Sequence, residues 1–126
     1  MLGSEKERSA GDEIAAAGAY CHNLCGRTRL VDVIDLMAAA EQAVTNDSGL
    51  MHVAAATGVR INAIYGSSTP AYTPPLTDSA EIFYKQLPCS PCFSRACKYG
   101  HYNCLKMVTP DEVFMGVLHD AVASNH

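Results

Sequence analysis

The hydrophobic positions change period along this 126-residue chain, and the changes divide it into elements. Ser9 to Gly18 is rich in alanine with its charges early, which predicts a helix ending near the glycine. Tyr20 to Leu24 is a short apolar run of the length of a buried strand. Beyond it Leu30, Val33, Ile34 and Met37 recur at i, i+3, i+4 and i+7, the spacing of one helix face, with Thr28 placed to cap that helix. Ala43-Val44-Thr45 reads as a strand halted by Asn46-Asp47-Ser48-Gly49. A small-residue helix follows over Leu50 to Thr57 and stops at Gly58, and Ile61 to Tyr65 is a second strand closed by Gly66-Ser67-Ser68.

After Gly66 the rhythm breaks. Thr69 to Asp78 holds three prolines, Glu81 to Tyr84 has the look of a further strand, and Leu87 to Cys104 is an irregular, cysteine-rich loop. A last helix starts at Pro110, where proline costs nothing because the first helical N–H has no partner, and Thr109 precedes it as the cap. Val113, Val117, Leu118 and Val122 are its expected inner face. Met37, Met51, Met107 and Met115 are expected in the core, as are Cys21 and Cys25, which flank the first short run as small apolar residues.

Strands alternating with helices through short connections predict an α/β fold, a Rossmann-like parallel sheet with flanking helices. Met1-Leu2-Gly3 reads like the end of a strand feeding a turn and a helix. A doubly wound domain has further strands before that point, so the chain is expected to begin inside a domain, and the sheet edge thereby left open invites self-association. Residues 1–126 are expected to form one incomplete domain carrying the cysteine-rich loop 87–104.

Composition narrows the function. Hydrophobic residues make up 48% and charged residues 17%, a balance that suits a folded chain of one domain. The net charge of -4 offers no electrostatic footprint for nucleic acid. No segment approaches the roughly 18 apolar residues that span a bilayer, and the first residues lack a secretory stretch. A cytoplasmic protein is expected, and its six cysteines are then expected as thiols or metal ligands in preference to disulfides.

Candidate chemistry gathers where the first strand stops. In an open parallel sheet, ligands bind beyond the carboxyl ends of the strands. The leading N–H groups of a helix lack partners there and carry the positive end of its dipole, which suits a phosphate if small residues such as Ser48 and Gly49 let it approach. The Asp47 carboxylate can accept hydrogen bonds from sugar hydroxyls, and His52, one turn on, can donate toward the same pocket. On the residues alone, Asp47 or Ser48 could equally be a plain helix cap and His52 a surface residue.

The run Val44-Thr45-Asn46-Asp47-Ser48-Gly49-Leu50-Met51-His52-Val53-Ala54-Ala55-Ala56 resembles the signature of the ADP-heptose:lipopolysaccharide heptosyltransferases, glycosyltransferase family 9. Tyr65-Gly66-Ser67-Ser68-Thr69-Pro70, Tyr72-Thr73-Pro74-Pro75-Leu76, Leu2-Gly3-Ser4-Glu5-Lys6-Glu7 and Asn23-Leu24-Cys25-Gly26-Arg27-Thr28 resemble its type II branch, in the family's order and spacing. The resemblance implies a GT-B enzyme of two facing Rossmann-like halves, of which this chain matches the later portion of the C-terminal, donor-binding half. It implies that the Ser48 and Gly49 amides hold the diphosphate of ADP-heptose, that Asp47 contacts the heptose, and that Glu7 hydrogen-bonds the ribose. Glu7 also reads as an exposed charge in a first helical turn. By the same resemblance the lipopolysaccharide core acceptor and the catalytic base belong to the other half, so no catalytic residue is expected in this chain and the chain alone is expected to be inactive. The enzyme would work at the cytoplasmic face of the inner membrane, peripheral to it, and needs no cofactor.

Cys89, Cys92, Cys97 and Cys104, with His101 among them, form a Cys-x2-Cys-x4-Cys-x6-Cys array. A structural zinc, free thiols and disulfides all remain open for it. Similar loops occur in some members of the type II branch and not in others, so transfer cannot depend on it. Ser67, Ser68 and Thr69 follow a strand end and would border the sugar pocket. Two other readings stand beside the donor half of a heptosyltransferase: a zinc-stabilised binding module without transfer chemistry, and a transferase using another ADP- or UDP-sugar.

Overall fold

The computed structural model describes residues 1–123. Contacts divide the chain into two compact units, the first being Met1–Ala39 and the second beginning at Ala40.

In the first unit a short 3-10 turn, Glu5–Glu7, runs into helix α1, Arg8–Ala15, and a second helix, α2, spans Leu30–Ala39. The expected strand at Tyr20–Leu24 is not one. Leu24 and Gly26 donate their N–H groups to the Met1 and Gly3 carbonyls, both at 2.9 Å, but neither partner is long enough to form a strand. Asn23 bends the segment instead. Its amide donates to the Arg8 carbonyl (3.0 Å) and to Asp12 (2.8 Å), and its Oδ1 accepts from the Cys25 N–H (3.0 Å). Tyr20 is left 84% exposed, while Cys25 is fully buried and Cys21 half-buried.

The start of α2 also differs from expectation. Arg29, not Thr28, heads the helix: its carbonyl accepts the Val33 N–H, and the Asp32 carboxylate reaches back to its N–H and guanidinium at 2.8–3.1 Å. Asp32 thereby supplies one half of a capping box, its carboxylate accepting the N–H of the residue that heads the helix. Of the predicted face only Val33 and Met37 are buried; Leu30 and Ile34 are exposed.

The second unit is an α/β layer. Strands β1 (Gln42–Asn46), β2 (Arg60–Tyr65) and β3 (Ala80–Tyr84) form a parallel sheet in that order, the three strands found among the described residues. The register sets Ala43, Ile61 and Ala80 side by side, and Tyr65 beside Tyr84. Helix α3 (Gly49–Thr57) connects β1 to β2 and packs on both. It ends at Gly58, whose φ of 78° is the left-handed conformation a glycine adopts without a Cβ clash. After β3 come the irregular loop, a single helical turn α4 (Asn103–Lys106) and helix α5 (Pro110–Ala123).

β2 is covered on both faces, which explains its nearly unbroken apolar sequence. Ile61, Ala63 and Tyr65 turn to one face, where the Tyr65 hydroxyl meets the sulfur of buried Met51 on α3. Asn62 and Ile64 turn to the other, toward α5. There Gly116 permits close approach: a Cβ on it would lie 2.7 Å from the Phe83 ring and 3.1 Å from Asn62 Oδ1. The Asn62 amide donates to Gln42 Oε1 and the Gln42 amide to the Val117 carbonyl, both at 3.0 Å, tying β2, β1 and α5 together.

The inner face of α5 is thus Val113, Gly116 and Val117. Leu118 and Val122, expected inside, are exposed, because the close approach at Gly116 sets the helix rotation. Val44, Ile64, Val113, Phe114 and Val117 line an open apolar groove of about 660 Å³ beside this contact. Met37 and Met51 are buried, whereas Met107 and Met115 are exposed. No described helix is long and apolar enough to cross a membrane.

Candidate functional site: the turn between β1 and α3

β1 runs out at Asn46, and the Asp47 N–H extends its pairing by one residue, donating to the Ile64 carbonyl at 3.2 Å. Ser48 then adopts an extended conformation, φ -156° and ψ 170°, and α3 begins at Gly49. Ser48 stands in the capping position, yet its side chain makes no capping hydrogen bond, and the first turn of α3 contains no acidic residue. Ser48 therefore makes no plain helix cap. The surroundings of Gly49 are open as well: a Cβ built on it would meet nothing within 4 Å. An uncapped helix start with no acidic residue in its first turn is a favourable place for an anion.

Asp47 is half-buried beside this start. Its Oδ2 accepts a hydrogen bond of 2.9 Å from the Thr73 hydroxyl. The Thr73 carbonyl in turn accepts from the hydroxyl of Tyr65, at the carboxyl end of β2, and the same hydroxyl lies 3.4 Å from the Met51 sulfur. Burial, and secondarily the Asp47 charge, push the Tyr65 phenol up to about 12, so it remains a donor throughout the neutral range. Thr69 is buried, and its carbonyl accepts the Thr73 N–H at 3.3 Å; Ser67 and Ser68 are half-buried on the same connection. His52 is exposed on the first turns of α3.

The structure brings Asp47, Ser48 and Gly49 into one turn, as the chain order dictates, and adds Thr73 and Tyr65, which sequence reasoning assigned no role. The available signal was weak. Tyr65 ends a strand that continues into a turn, and Thr73 precedes two prolines in an irregular connection.

Glu7 belongs to the first unit. Its Oε2 accepts both the N–H and the hydroxyl of Ser4, a reciprocal cap on the 3-10 turn. The Ser4 hydroxyl first, then the Ser4 N–H, hold its carboxyl below the ordinary glutamate value. One oxygen is committed to structure, as the first-turn reading has it, and Oε1 is left over.

The cysteine-rich segment is pinned beside the end of β2. The Cys92 and Phe93 N–H groups both donate to the Ser67 carbonyl, at 3.0 and 2.9 Å, and Leu105 packs where Gly66 has no side chain. Cys89, Cys92, Cys97, Cys104 and His101 line one cavity of about 80 Å³, and the six cysteines are free thiols. Cys97 Sγ lies 4.0 Å from His101 Nδ1, which accepts the Asn103 N–H at 3.0 Å. The Tyr102 N–H foremost, with those of Tyr99, Gly100 and His101, holds the Cys97 thiol below its ordinary value. Among the described residues no three His, Cys, Asp or Glu side chains converge closely enough to hold a metal ion. The spacing of Cys89, Cys92, Cys97 and Cys104 thus brings them to one cavity.

A family model for glycosyltransferase family 9 (heptosyltransferase) matches residues 1–103. The chain belongs to that family. Lipopolysaccharide heptosyltransferase 2 of Escherichia coli (strain K12) is 48% identical over 87 residues, which cover 65% of this chain and 25% of the relative. Lipooligosaccharide heptosyltransferase 2 of Haemophilus ducreyi is 37% identical over 122 residues, 90% of this chain and 35% of the relative. The solved structure of E. coli ADP-heptose lps heptosyltransferase II matches 99% of this chain with a TM-score of 0.83 and 35% identity, over 36% of its own length. A glycosyl transferase family 9 structure from Veillonella parvula DSM 2008, 21% identical with a TM-score of 0.74, shares the fold. This glycosyltransferase-family chain thus spans about a quarter of the length of the E. coli and Salmonella relatives it matches.

Proposed function

We propose that this chain is the donor-binding part of a heptosyltransferase, acting in the transfer of L-glycero-D-manno-heptose from ADP-heptose to the inner core of lipopolysaccharide. The observation that carries the reading is the uncapped start of α3 with the Asp47 carboxylate beside it. The amides of Ser48 and Gly49 would face the diphosphate, whose negative charge grows as the bond to the sugar breaks. A fixed positive dipole is most valuable at that point, because it requires no reorganisation during the reaction. Asp47 would accept hydrogen bonds from the heptose hydroxyls, and its charge favours the positive character that develops at the sugar's anomeric carbon.

Removing the proton from the acceptor hydroxyl is assigned to no residue of this chain. The names of the E. coli and Haemophilus relatives support the choice of heptose, and that of the E. coli relative the choice of lipopolysaccharide. A helix start recognises the phosphates rather than the sugar, so titration calorimetry with ADP-heptose, ADP and UDP is the test. Binding of the two ADP compounds and not of UDP, with the ADP-heptose advantage lost in Asp47→Ala, is the expected result. Equal binding of UDP would favour a transferase using another donor, and binding of none of the three would overturn the reading.

A further inference from the structure

Asp47 has two carboxylate oxygens and the protein engages one of them. Oδ2 accepts the Thr73 hydroxyl at 2.9 Å, and among the described residues Oδ1 takes no hydrogen bond. The Thr73 hydroxyl also lies 3.4 Å from the Thr69 carbonyl, but the carboxylate is nearer and charged and so takes the proton. Thr73 is itself held at several points. Its carbonyl accepts from fully buried Tyr65, its N–H donates to Thr69, and Pro74 and Pro75 restrict the backbone that follows, with Pro75 buried. Tyr65 is anchored from beneath by the Met51 sulfur on α3, the helix whose start adjoins Asp47. The end of β2, the body of α3 and the proline loop therefore converge on one hydroxyl, and that hydroxyl sets the plane of the Asp47 carboxylate.

We infer that Thr73 is a positioning residue for donor-sugar recognition: by holding Oδ2 it fixes Asp47 so that Oδ1 faces the hydroxyls of the sugar carried by a nucleoside diphosphate. This inference rests on the reading of Asp47 given under Proposed function. A free carboxylate samples its rotamers and spends binding energy on being ordered; one already oriented does not. The effect belongs to the sugar and not to the nucleotide, because the diphosphate is read by the α3 amides, which Thr73 does not touch.

The test compares ADP-heptose with ADP by titration calorimetry on the full chain, for the native protein, Thr73→Val, Thr73→Ser, Asp47→Asn and the double variant Asp47→Asn with Thr73→Val. The native protein binds ADP-heptose more tightly than ADP. Thr73→Val reduces that preference about tenfold, the scale of a lost hydrogen bond to a charged group, and leaves ADP affinity unchanged. Thr73→Ser restores the preference, and in the double variant the valine has no further effect, the sign that both residues act as one unit. Thr73→Ala replaces the valine variant if a thermal melt shows the latter unfolded. An unaltered preference in Thr73→Val, or a serine variant as impaired as the valine one, overturns the inference while the donor reading stands through Asp47→Asn. A native protein without any preference for ADP-heptose over ADP overturns both.

Discussion

The starts of α3 and α5 are two solutions to one problem. Every helix begins with N–H groups that have no partner inside it. α5 satisfies them from its own sequence: the Thr109 hydroxyl accepts the Glu112 N–H at 3.2 Å, Pro110 opens the helix, and Asp111 and Glu112 oppose the dipole. Lys85 then holds Glu112 at 2.8 Å. α3 does none of this. Its capping serine makes no bond, its first turn carries no acid, and it opens with a glycine under clear space. The carboxylate nearest to it, Asp47, is held by Thr73 instead. The chain closes one helix start with its own side chains and leaves the other uncapped, and the uncapped one is where the donor site is proposed.

The contrast can be broken most strongly at Gly49. Gly49→Val adds bulk where the fold leaves room, so it should weaken ADP and ADP-heptose binding by roughly tenfold or more while shifting stability by less than about 1 kcal/mol. Calorimetry and urea unfolding measure the two effects, and a variant that binds like the native protein would show that nothing docks at this helix start. The opposite outcome is expected at α5, where Thr109→Ala should lower the unfolding free energy by about 1 kcal/mol and leave nucleotide affinity alone. Ser48→Ala occupies the equivalent position in α3 but removes no capping bond, so its cost in urea unfolding should be no more than a few tenths of a kcal/mol, about a third of that of Thr109→Ala. A loss equal to the threonine variant's would mean that Ser48 caps α3 in solution.

The smallest effect concerns acid. The Lys85 ammonium hydrogen bond, and then its charge, keep the Glu112 carboxyl below its ordinary value. A carboxyl depressed in the folded state adds stability above its unfolded pKa and loses it as pH falls through the folded one. Glu112→Gln should therefore flatten the decline of the melting temperature between neutral and acidic pH. It should not level it, because Glu7 and Asp32, depressed by Ser4 and Arg29, titrate in the same window. An unchanged profile would show that the Lys85–Glu112 pair does not persist in water.

Reading the two helix starts from sequence succeeded unequally. Thr109-Pro110 announces a cap because both residues act within one helical turn. Asn46-Asp47-Ser48-Gly49 announces a strand end and a helix start, but whether the serine caps depends on a side-chain rotation that composition does not specify. The strand expected at Tyr20–Leu24 failed for a related reason: apolar character marks a run for burial, and the bonds of Asn23 to α1 turned it into a bend.

By itself the sequence determined the α/β order, the positions of β1, α3, β2 and α5, the Gly58 stop and the location of the candidate site, because each depends on neighbours a few residues apart whose periodicity and turn chemistry are local. Tertiary structure alone decided the rest. Thr73 reaches Asp47 across 26 residues, Tyr65 holds Thr73, and Gly116 sets the rotation of α5 so that Leu118 and Val122 face outward. Such contacts depend on where the chain returns in space, and a hydroxyl, a phenol or a missing Cβ takes its role from whatever stands opposite it once the sheet has formed.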